Sequence, residues 1–260
     1  MTLPTPSKEL GQHFLVDDNI LGVIGRLAEL GPSDVVLEIG PGRGALTSFL
    51  ADRVAEVHAV ELDRRLEPHL RERFGDRPNV NLRFEDALSL EPTALEPPPT
   101  KLVSNLPYNV ATPIVVESLE RFRAIEVWTV MVQREVADRF FAAPRTKAYG
   151  AVSVLLQLAT ERTGFHPVSR TVFRPPPNVD SALVAFRRRA DSPTIPWPQL
   201  KRLVEGAFAH RRKRLPNSLE LAGIADRDQA AAALAELGRT PNTRAEELEP
   251  EEFVRLATAL

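Results

Sequence analysis

The chain has 260 residues, of which 43% are hydrophobic and 26% are charged, and its formal net charge is −2. This composition is typical of a globular protein, and it excludes a disordered chain and a uniformly basic nucleic-acid binder. Cysteine is absent, which excludes disulfides and thiolate zinc sites, and no apolar run approaches the roughly eighteen residues of a membrane span. The polar start and the scattered histidines predict a cytoplasmic protein without a secretory signal, a membrane partner or a metal site.

Short apolar runs alternate with helical segments between residues 35 and 189. The runs predict strands at Val35–Ile39, Val57–Glu61, Val80–Phe84, Lys101–Ser104 and Val127–Val132. The segments between them predict helices at Ala45–Val54, Arg64–Phe74, Pro113–Phe122 and Gln133–Phe141. Because strands of this length alternating with helices form crossover units, the pattern predicts an α/β fold with a mostly parallel central sheet.

The last third of the chain changes character. Two further strands, near Ala159–His166 and Ala182–Arg188, flank the proline-rich 174–177, which we expect to form a rigid loop because proline cannot sit in a central strand. A linker composition at 190–198 precedes an apolar stripe with helical spacing at Leu200, Leu203, Val204, Ala207 and Phe208. The sequence therefore predicts a main domain at 1–190 and a small all-α domain at 193–260, with a capping box from Thr243 to Glu246.

A glycine-rich loop, Gly-Pro-Gly-Arg-Gly at 40–44, follows the first strand and leads into a helix. Glycine lets the backbone turn tightly and approach a ligand, and the helix start offers free N–H groups. Glu61 ends the second strand, where a carboxylate can accept from ribose hydroxyls, and Asp86 follows the third, where it can accept from an adenine amine. These positions predict a site for an adenine nucleoside cofactor.

NAD is the rival cofactor for this loop. Its fingerprint is Gly-x-Gly-x-x-Gly, whereas here the third glycine comes one residue early. The loop also follows the acidic Glu38 and contains Pro41, which suits a positively charged aminopropyl-sulfonium better than a pyrophosphate. The sequence therefore favours S-adenosylmethionine.

The fourth strand runs into Asn105-Leu106-Pro107-Tyr108. The exocyclic amine of adenine is a poor nucleophile, because its lone pair is delocalised into the ring. An amide oxygen from Asn105 and a backbone carbonyl from Leu106 or Pro107 can accept its two hydrogens, and Tyr108 offers a ring on which the base can stack. In isolation the motif also describes a turn. After a strand in a chain with a cofactor loop, it predicts methylation of an amine, with positioning as the main catalytic device.

These segments resemble those of the ribosomal RNA adenine dimethyltransferases, and within that family the bacterial 16S enzymes. The resemblance covers almost the whole chain and rests on residues 11–15, 40–47, 105–108, 130–137, 173–181 and 208–217. It implies a Rossmann-like class I methyltransferase domain at 1–190 and a helical domain at 193–260 that recognises rRNA or the ribosomal subunit. The implied reaction, with a role in ribosome biogenesis, is dimethylation of the N6 amines of two adjacent adenosines near the 3′ end of 16S rRNA, by a monomer.

The resemblance also assigns residues by position. It implies cofactor contacts at His13, Leu15, Gly40, Glu61, Asp86 and Asn105. It implies catalytic roles for Asn105, Leu106, Pro107, Tyr108 and Phe173, the last covering the target base opposite Tyr108. A core position for Phe173 is the alternative. His13 departs from the family, which usually has asparagine there, and its contact would be pH-sensitive because imidazole titrates near neutral pH.

A basic run, Arg211-Arg212-Lys213-Arg214, follows the apolar stripe and resembles the second-domain Phe-x-x-Arg-Arg-Lys segment of the family. We expect these four side chains to bind rRNA phosphates. Solvated charges near a helix C-terminus are the alternative.

Three other functions remain open. The chain is also similar to the macrolide-resistance enzymes that act on large-subunit rRNA, although the basic run and helical tail favour the small-subunit enzyme. A DNA adenine methyltransferase would more often carry Asp-Pro-Pro-Tyr or Asn-Pro-Pro-Tyr at 105–108. A non-catalytic assembly factor of the small subunit is the third, and the intact site residues argue against it.

Overall fold

The computed structural model describes residues 4–7, 10–191, 193 and 195–260. By contacts the chain divides into a first unit, Met1–Ala137 with Arg162–Arg188, and a second unit, Asp138–Glu161 with Arg189–Leu260. The sequence assigned all of 1–190 to one domain, whereas the structure groups Asp138–Glu161 with the C-terminal helices. Ser192 and Thr194 of the expected linker lie outside the described residues.

A seven-stranded sheet forms the centre of the first unit. The part of this sheet that belongs to the first unit includes the strand Thr160–Val168 only from Arg162 onward. The strands are β2 (Val35–Ile39), β3 (Glu56–Val60), β4 (Val80–Arg83), β5 (Lys101–Asn105), β6 (Val127–Gln133), β7 (Thr160–Val168) and β9 (Ser181–Arg188). Their order is β4-β3-β2-β5-β6-β9-β7. Neighbours from β4 to β6 are parallel, and β9 is antiparallel to β6. The predicted α/β fold with a mostly parallel sheet is confirmed.

The helices of the first unit supply the crossovers that parallel strands require. They are α1 (Asp18–Leu27), α2 (Ala45–Ala51), α3 (Glu67–Phe74), α4 (Ala111–Arg121) and α5 (Arg134–Phe140), whose last three residues belong to the second unit. All five residues of β2 are buried, as expected for a central strand covered on both faces. Because β2 lies between β3 and β5, the carboxyl ends of these three strands meet at one edge of the sheet.

A two-stranded ribbon lies beside the main sheet. It pairs β1 (Phe14–Leu15) with β8 (Phe173–Arg174) in antiparallel register, with Leu15 opposite Phe173. The proline-rich loop expected between the last two strands therefore contains a short strand of its own at its start.

The second unit is helical. Its helices are α6 (Ala151–Ala159), α7 (Trp197–Ala209), α8 (Leu215–Leu221), α9 (Arg227–Glu236) and α10 (Pro250–Ala259). Leu200, Leu203, Val204 and Ala207 of the apolar stripe of α7 are buried, and Phe208 is half-buried. The Phe208 ring packs against Tyr149 and Phe253 with centroid distances of 5.8 Å to each. Within the described ranges, no helix is long and apolar enough to cross a membrane.

The capping box predicted from Thr243 to Glu246 is wrong by one residue. The short 3-10 helix there, Ala245–Glu247, is capped by Arg244, whose N–H donates to the Glu247 carboxylate at 2.8 Å. Thr243 is instead buried, and its carbonyl accepts the N–H of Leu215 at 2.8 Å. That tertiary contact holds Thr243 outside the helical turn.

Candidate active site

A cavity opens in the first unit at the carboxyl ends of β2, β3 and β5. Its lining comes mainly from 10–15, 38–46, 60–62, 85–87 and 105–110. The structure thus brings together every site residue that the sequence nominated in this unit, with the exception of Phe173: His13, Leu15, Gly40, Glu61, Asp86, Asn105, Leu106, Pro107 and Tyr108.

The glycine loop needs glycine at all three positions. Gly40, Gly42 and Gly44 have φ of 75°, 58° and 79°, a left-handed region that other residues rarely adopt. A Cβ on Gly42 would lie 2.9 Å from the Phe14 ring, and one on Gly44 would overlap Phe74. The backbone of the loop therefore packs directly against Phe14 and Phe74, at positions where a larger residue would not fit.

Glu61 fixes this loop from the neighbouring strand. Its Oε2 accepts the N–H of Gly42 at 3.0 Å, and its Oε1 accepts the N–H of Asp63 at 2.8 Å. Burial raises the pKa of Glu61. Each carboxylate oxygen keeps a second acceptor position, so Glu61 can still accept from ribose hydroxyls. Asp86 is exposed at the cavity edge, where it accepts the N–H of Leu88 at 2.9 Å.

Glu38 on β2 is the most deeply buried charge-bearing group of the cavity. Its side chain is 1% exposed, and its Oε2 has no hydrogen-bond partner among the described residues. Burial, aided by the negative charge of Glu61, raises the pKa of Glu38 to about 8. A buried polar group without a partner is costly, so this carboxyl fits a ligand that brings a positive charge or a donor.

Backbone and side-chain hydrogen bonds hold the segment 105–108 in place at the end of β5. Leu106 donates its N–H to the Met131 carbonyl on β6 at 3.1 Å. The Asn105 amide nitrogen donates to the His13 carbonyl at 3.2 Å, which leaves its amide oxygen available. The Tyr108 hydroxyl lies 2.5 Å from the Ser181 hydroxyl, its ring stacks at 5.6 Å on His13, and burial raises the pKa of Tyr108.

Phe173 does not lie where the resemblance places it. Its side chain is 0% exposed, belongs to the hydrophobic core with Leu15, Ile20 and Leu183, and does not line the cavity. The β1–β8 pairing sets Phe173 opposite Leu15 and packs its ring inside the unit. In this structure the ring is not positioned to stack on a base, and the core alternative describes it.

Sequence analysis assigned no role to Gln12, which lines the cavity, or to Asp63, to which Gln12 is hydrogen-bonded. Asp63 is 6% exposed and accepts four hydrogen bonds, from Gln12, the backbone N–H of Arg65 and the guanidinium of Arg65. These contacts, those of Arg65 first, lower the pKa of Asp63. The sequence signals were the position of Asp63 two residues after Glu61 and the place of Gln12 in the segment 11–15.

The basic run lies in the second unit, and all four of its side chains are exposed. Arg211 pairs with Glu246 at 3.0 Å and donates to the Thr146 carbonyl at 3.2 Å. Within the part of the chain that the structure describes, the side chains of Arg212, Lys213 and Arg214 make no hydrogen bond or ion pair. Three of the four cations are thus available to a ligand.

The chain matches one known protein family over nearly its whole length. A family model described as ribosomal RNA adenine dimethylase matches residues 5–260. The chain belongs to this family. It is therefore a methyltransferase enzyme of ribosomal RNA adenines, as the resemblance implied.

Several relatives carry the name ribosomal RNA small subunit methyltransferase A. The protein of Rubrobacter xylanophilus is 51% identical over 97% of this chain and 94% of its own length. That of Geobacter metallireducens is 40% identical over the same shares, 97% and 94%.

Two solved structures share the fold. A dimethyladenosine transferase from Plasmodium falciparum superposes with a TM-score of 0.78 at 22% identity, covering 94% of this chain and 96% of its own. The 23S rRNA methyltransferase ErmE superposes with a TM-score of 0.66 at 34% identity, covering 95% and 99%. The predicted class of fold is confirmed.

Proposed function

We propose that this enzyme uses S-adenosylmethionine to dimethylate the N6 amines of two adjacent adenosines near the 3′ end of 16S rRNA in the small ribosomal subunit. The observation that carries the proposal is that Asn105–Tyr108, the glycine loop and Glu61 line one cavity. The relatives named as small-subunit methyltransferases support the choice of substrate.

The lining of the cavity fits this cofactor. Glu38, buried and without a partner at Oε2, suits the positive charges of an aminopropyl-sulfonium better than the phosphates of a dinucleotide. The left-handed glycine backbone lets the Phe14 ring pack directly against the loop, and both line the cavity. Glu61 and Asp86 would accept from the ribose and the adenine, with His13 and Leu15 completing the site. When bound, the cofactor supplies an electrophilic methyl group.

The residues of 105–108 orient the adenosine amine. The free Asn105 oxygen accepts one hydrogen of the amine, and the carbonyl of Leu106 or Pro107 accepts the other. Held between two acceptors, the nitrogen moves toward tetrahedral geometry and its lone pair points into the cavity. For each methyl group gained, the amine loses one hydrogen to solvent as a proton, and the cofactor would be left as a neutral thioether. Positioning therefore supplies most of the rate, and no group needs to remove a proton before attack.

His13 contributes an imidazole ring to the same site. Its Nδ1 lies 2.9 Å from the Pro175 carbonyl, so this nitrogen carries a hydrogen and donates it. The His13 ring stacks on Tyr108 beside the cavity that both residues line.

The variant Asn105→Ala tests the proposed role of the motif. We expect methyl transfer to unmethylated small subunits to fall by at least a hundredfold in single turnover, because the amine loses its orienting acceptor. Subunit binding should persist, and cofactor affinity by calorimetry should fall only modestly. Asn81→Ala, an exposed position on β4, is the matched control and should behave as the parent. An Asn105→Ala protein that transfers methyl groups at the parent rate would exclude the orienting role.

A further inference from the structure

The segment 10–16, here called the strap, lines the cavity with residues 10–15. One of its residues contacts the cofactor side of the site and the next contacts the amine-orienting side. The Gln12 amide nitrogen donates to Asp63 Oδ2 at 2.8 Å. The His13 carbonyl accepts from the Asn105 amide nitrogen at 3.2 Å.

The His13 carbonyl decides which end of the Asn105 amide faces the cavity. An amide presents two hydrogens on nitrogen and two lone pairs on oxygen. With the nitrogen turned toward the carbonyl, the oxygen is free to accept from an amine. The flipped amide would set its oxygen against the carbonyl oxygen, and the amine would then meet a donor. Correct orientation of Asn105 thus depends on where the strap holds a backbone atom.

The strap is anchored near His13 by a network centred on Gln12. The Gln12 amide oxygen accepts the N–H of Ser7 at 2.8 Å, and its backbone N–H donates to the Ser7 carbonyl at 3.1 Å. Asp63 in turn accepts from two nitrogens of the Arg65 guanidinium, Nε at 2.8 Å and Nη2 at 2.7 Å. Asp63 also donates its N–H to Glu61, so the anchor is continuous with the cofactor side.

We propose that Gln12 is a positioning residue, which acts through its hydrogen bond to Asp63 to hold the strap and thereby the orientation of Asn105. The proposal rests on the proposed methyl transfer, because it explains how Asn105 is prepared for it. We call the Gln12–Asp63 contact the clamp. A charged acceptor makes such a hydrogen bond about twice as strong as a neutral one, which suits a contact that fixes the strap.

The test uses variants of similar shape that cannot form the clamp. Gln12→Met removes the donor, and Asp63→Leu removes the acceptor. At saturating cofactor and small subunit, we expect either change to lower the single-turnover methyl-transfer rate roughly tenfold to a hundredfold, since a displacement of about 1 Å costs this much. Gln199→Met is the matched control, because it removes an amide that donates to the Ala257 carbonyl in the second unit. It should keep the parent rate.

The double variant decides whether the two residues act through one contact. Once Asp63 is leucine, Gln12→Met should lower the rate little further, because the hydrogen bond to Asp63 is already lost and only the contact of the Gln12 side chain with Ser7 remains to be removed. Full additivity of the two changes would overturn the proposal, and so would an unchanged rate in Gln12→Met. A fall confined to cofactor affinity, with the parent rate restored at saturation, would make Gln12 a cofactor contact and also overturn it.

A structural readout separates the clamp from the proposed function. Hydrogen exchange of residues 10–16 should be faster in Gln12→Met than in the parent, and the side-chain amide resonance of Asn105 should shift, with or without any substrate. Unchanged exchange and an unchanged Asn105 resonance would overturn the clamp even in an active enzyme. A parent protein that transfers no methyl groups, with exchange altered as expected, would count against the proposed function alone.

Discussion

At the scale of single residues, the cavity contains a buried carboxyl group with one oxygen that has no hydrogen-bond partner among the described residues. Glu38 lies on a fully buried strand with no partner for Oε2 among the described residues, and Glu61 adds a second negative group nearby. The sequence indicated an acidic residue before the glycine loop. It could not indicate the burial, which depends on the position of β2 between β3 and β5 in the middle of the sheet.

This burial makes stability depend on pH. The pKa of Glu38 is raised from 4.5 to about 8, so the folded protein favours the protonated form and loses that advantage as pH rises toward 8. Glu38→Gln stays neutral throughout. We expect the unfolding free energy of the variant, relative to the parent, to increase with pH by at most about 1.4 kcal/mol per unit until pH 8 and then level off. Urea titrations from pH 5.5 to 9 measure this difference, and a constant difference would contradict the buried, protonated state.

At the scale of elements, strand and helix alternation predicted the sheet well. The predicted β2 matches its observed bounds, and the other predicted elements shift by a few residues at their ends. The elements that the sequence did not predict are those whose formation or position depends on residues far away in the chain. The β1–β8 ribbon has two residues per strand, too few to produce a pattern, and it decides where Phe173 lies. Likewise α6 is a largely apolar segment, interrupted only by Ser153 and Gln157, and no local pattern predicts that it belongs to the second unit.

The ribbon leads to a prediction for Phe173. Because the ring is fully buried in the core, Phe173→Ala should lower the unfolding free energy by about 3–5 kcal/mol while leaving turnover per folded molecule near the parent value. Phe165→Ala, at a half-buried position on β7, should cost less. Thermal melts and the activity of the folded fraction distinguish a core role of Phe173 from a base-stacking role. A stable Phe173→Ala protein with reduced turnover would restore the base-stacking role.

The loop between α7 and α8 carries a second prediction at this scale. Replacing Arg212, Lys213 and Arg214 by Gln should weaken binding to small subunits and reduce the log–log salt slope by about 0.7–0.9 for each phosphate that is no longer neutralised. Arg211→Gln should change the slope less, because Glu246 already engages that guanidinium. The control replaces Arg202, Arg227 and Arg255, three other exposed cations of this unit, by Gln. If the first triple variant keeps the parent slope, these residues are solvated surface charge.

At the scale of the whole molecule, the family match and the cavity argue for the same chemistry from separate observations. The match spans residues 5–260. The cavity brings residues from five separate segments to one edge of a parallel sheet, as the order of strands requires. Motif spacing was enough to nominate nearly all of these residues. It was not enough to find the clamp, since Gln12 and Asp63 are 51 positions apart and meet only in the folded chain.

Labelled methyl transfer is the measurement that tests the account most directly. The protein would be incubated with S-adenosylmethionine and, separately, with unmethylated small subunits, large subunits and DNA, and the products mapped by mass spectrometry. We expect two methyl groups on each of two adjacent adenosines near the 3′ end of the small-subunit rRNA, and none on the other substrates. Methylation of large-subunit rRNA or DNA instead, or binding to small subunits without any transfer, would contradict the account.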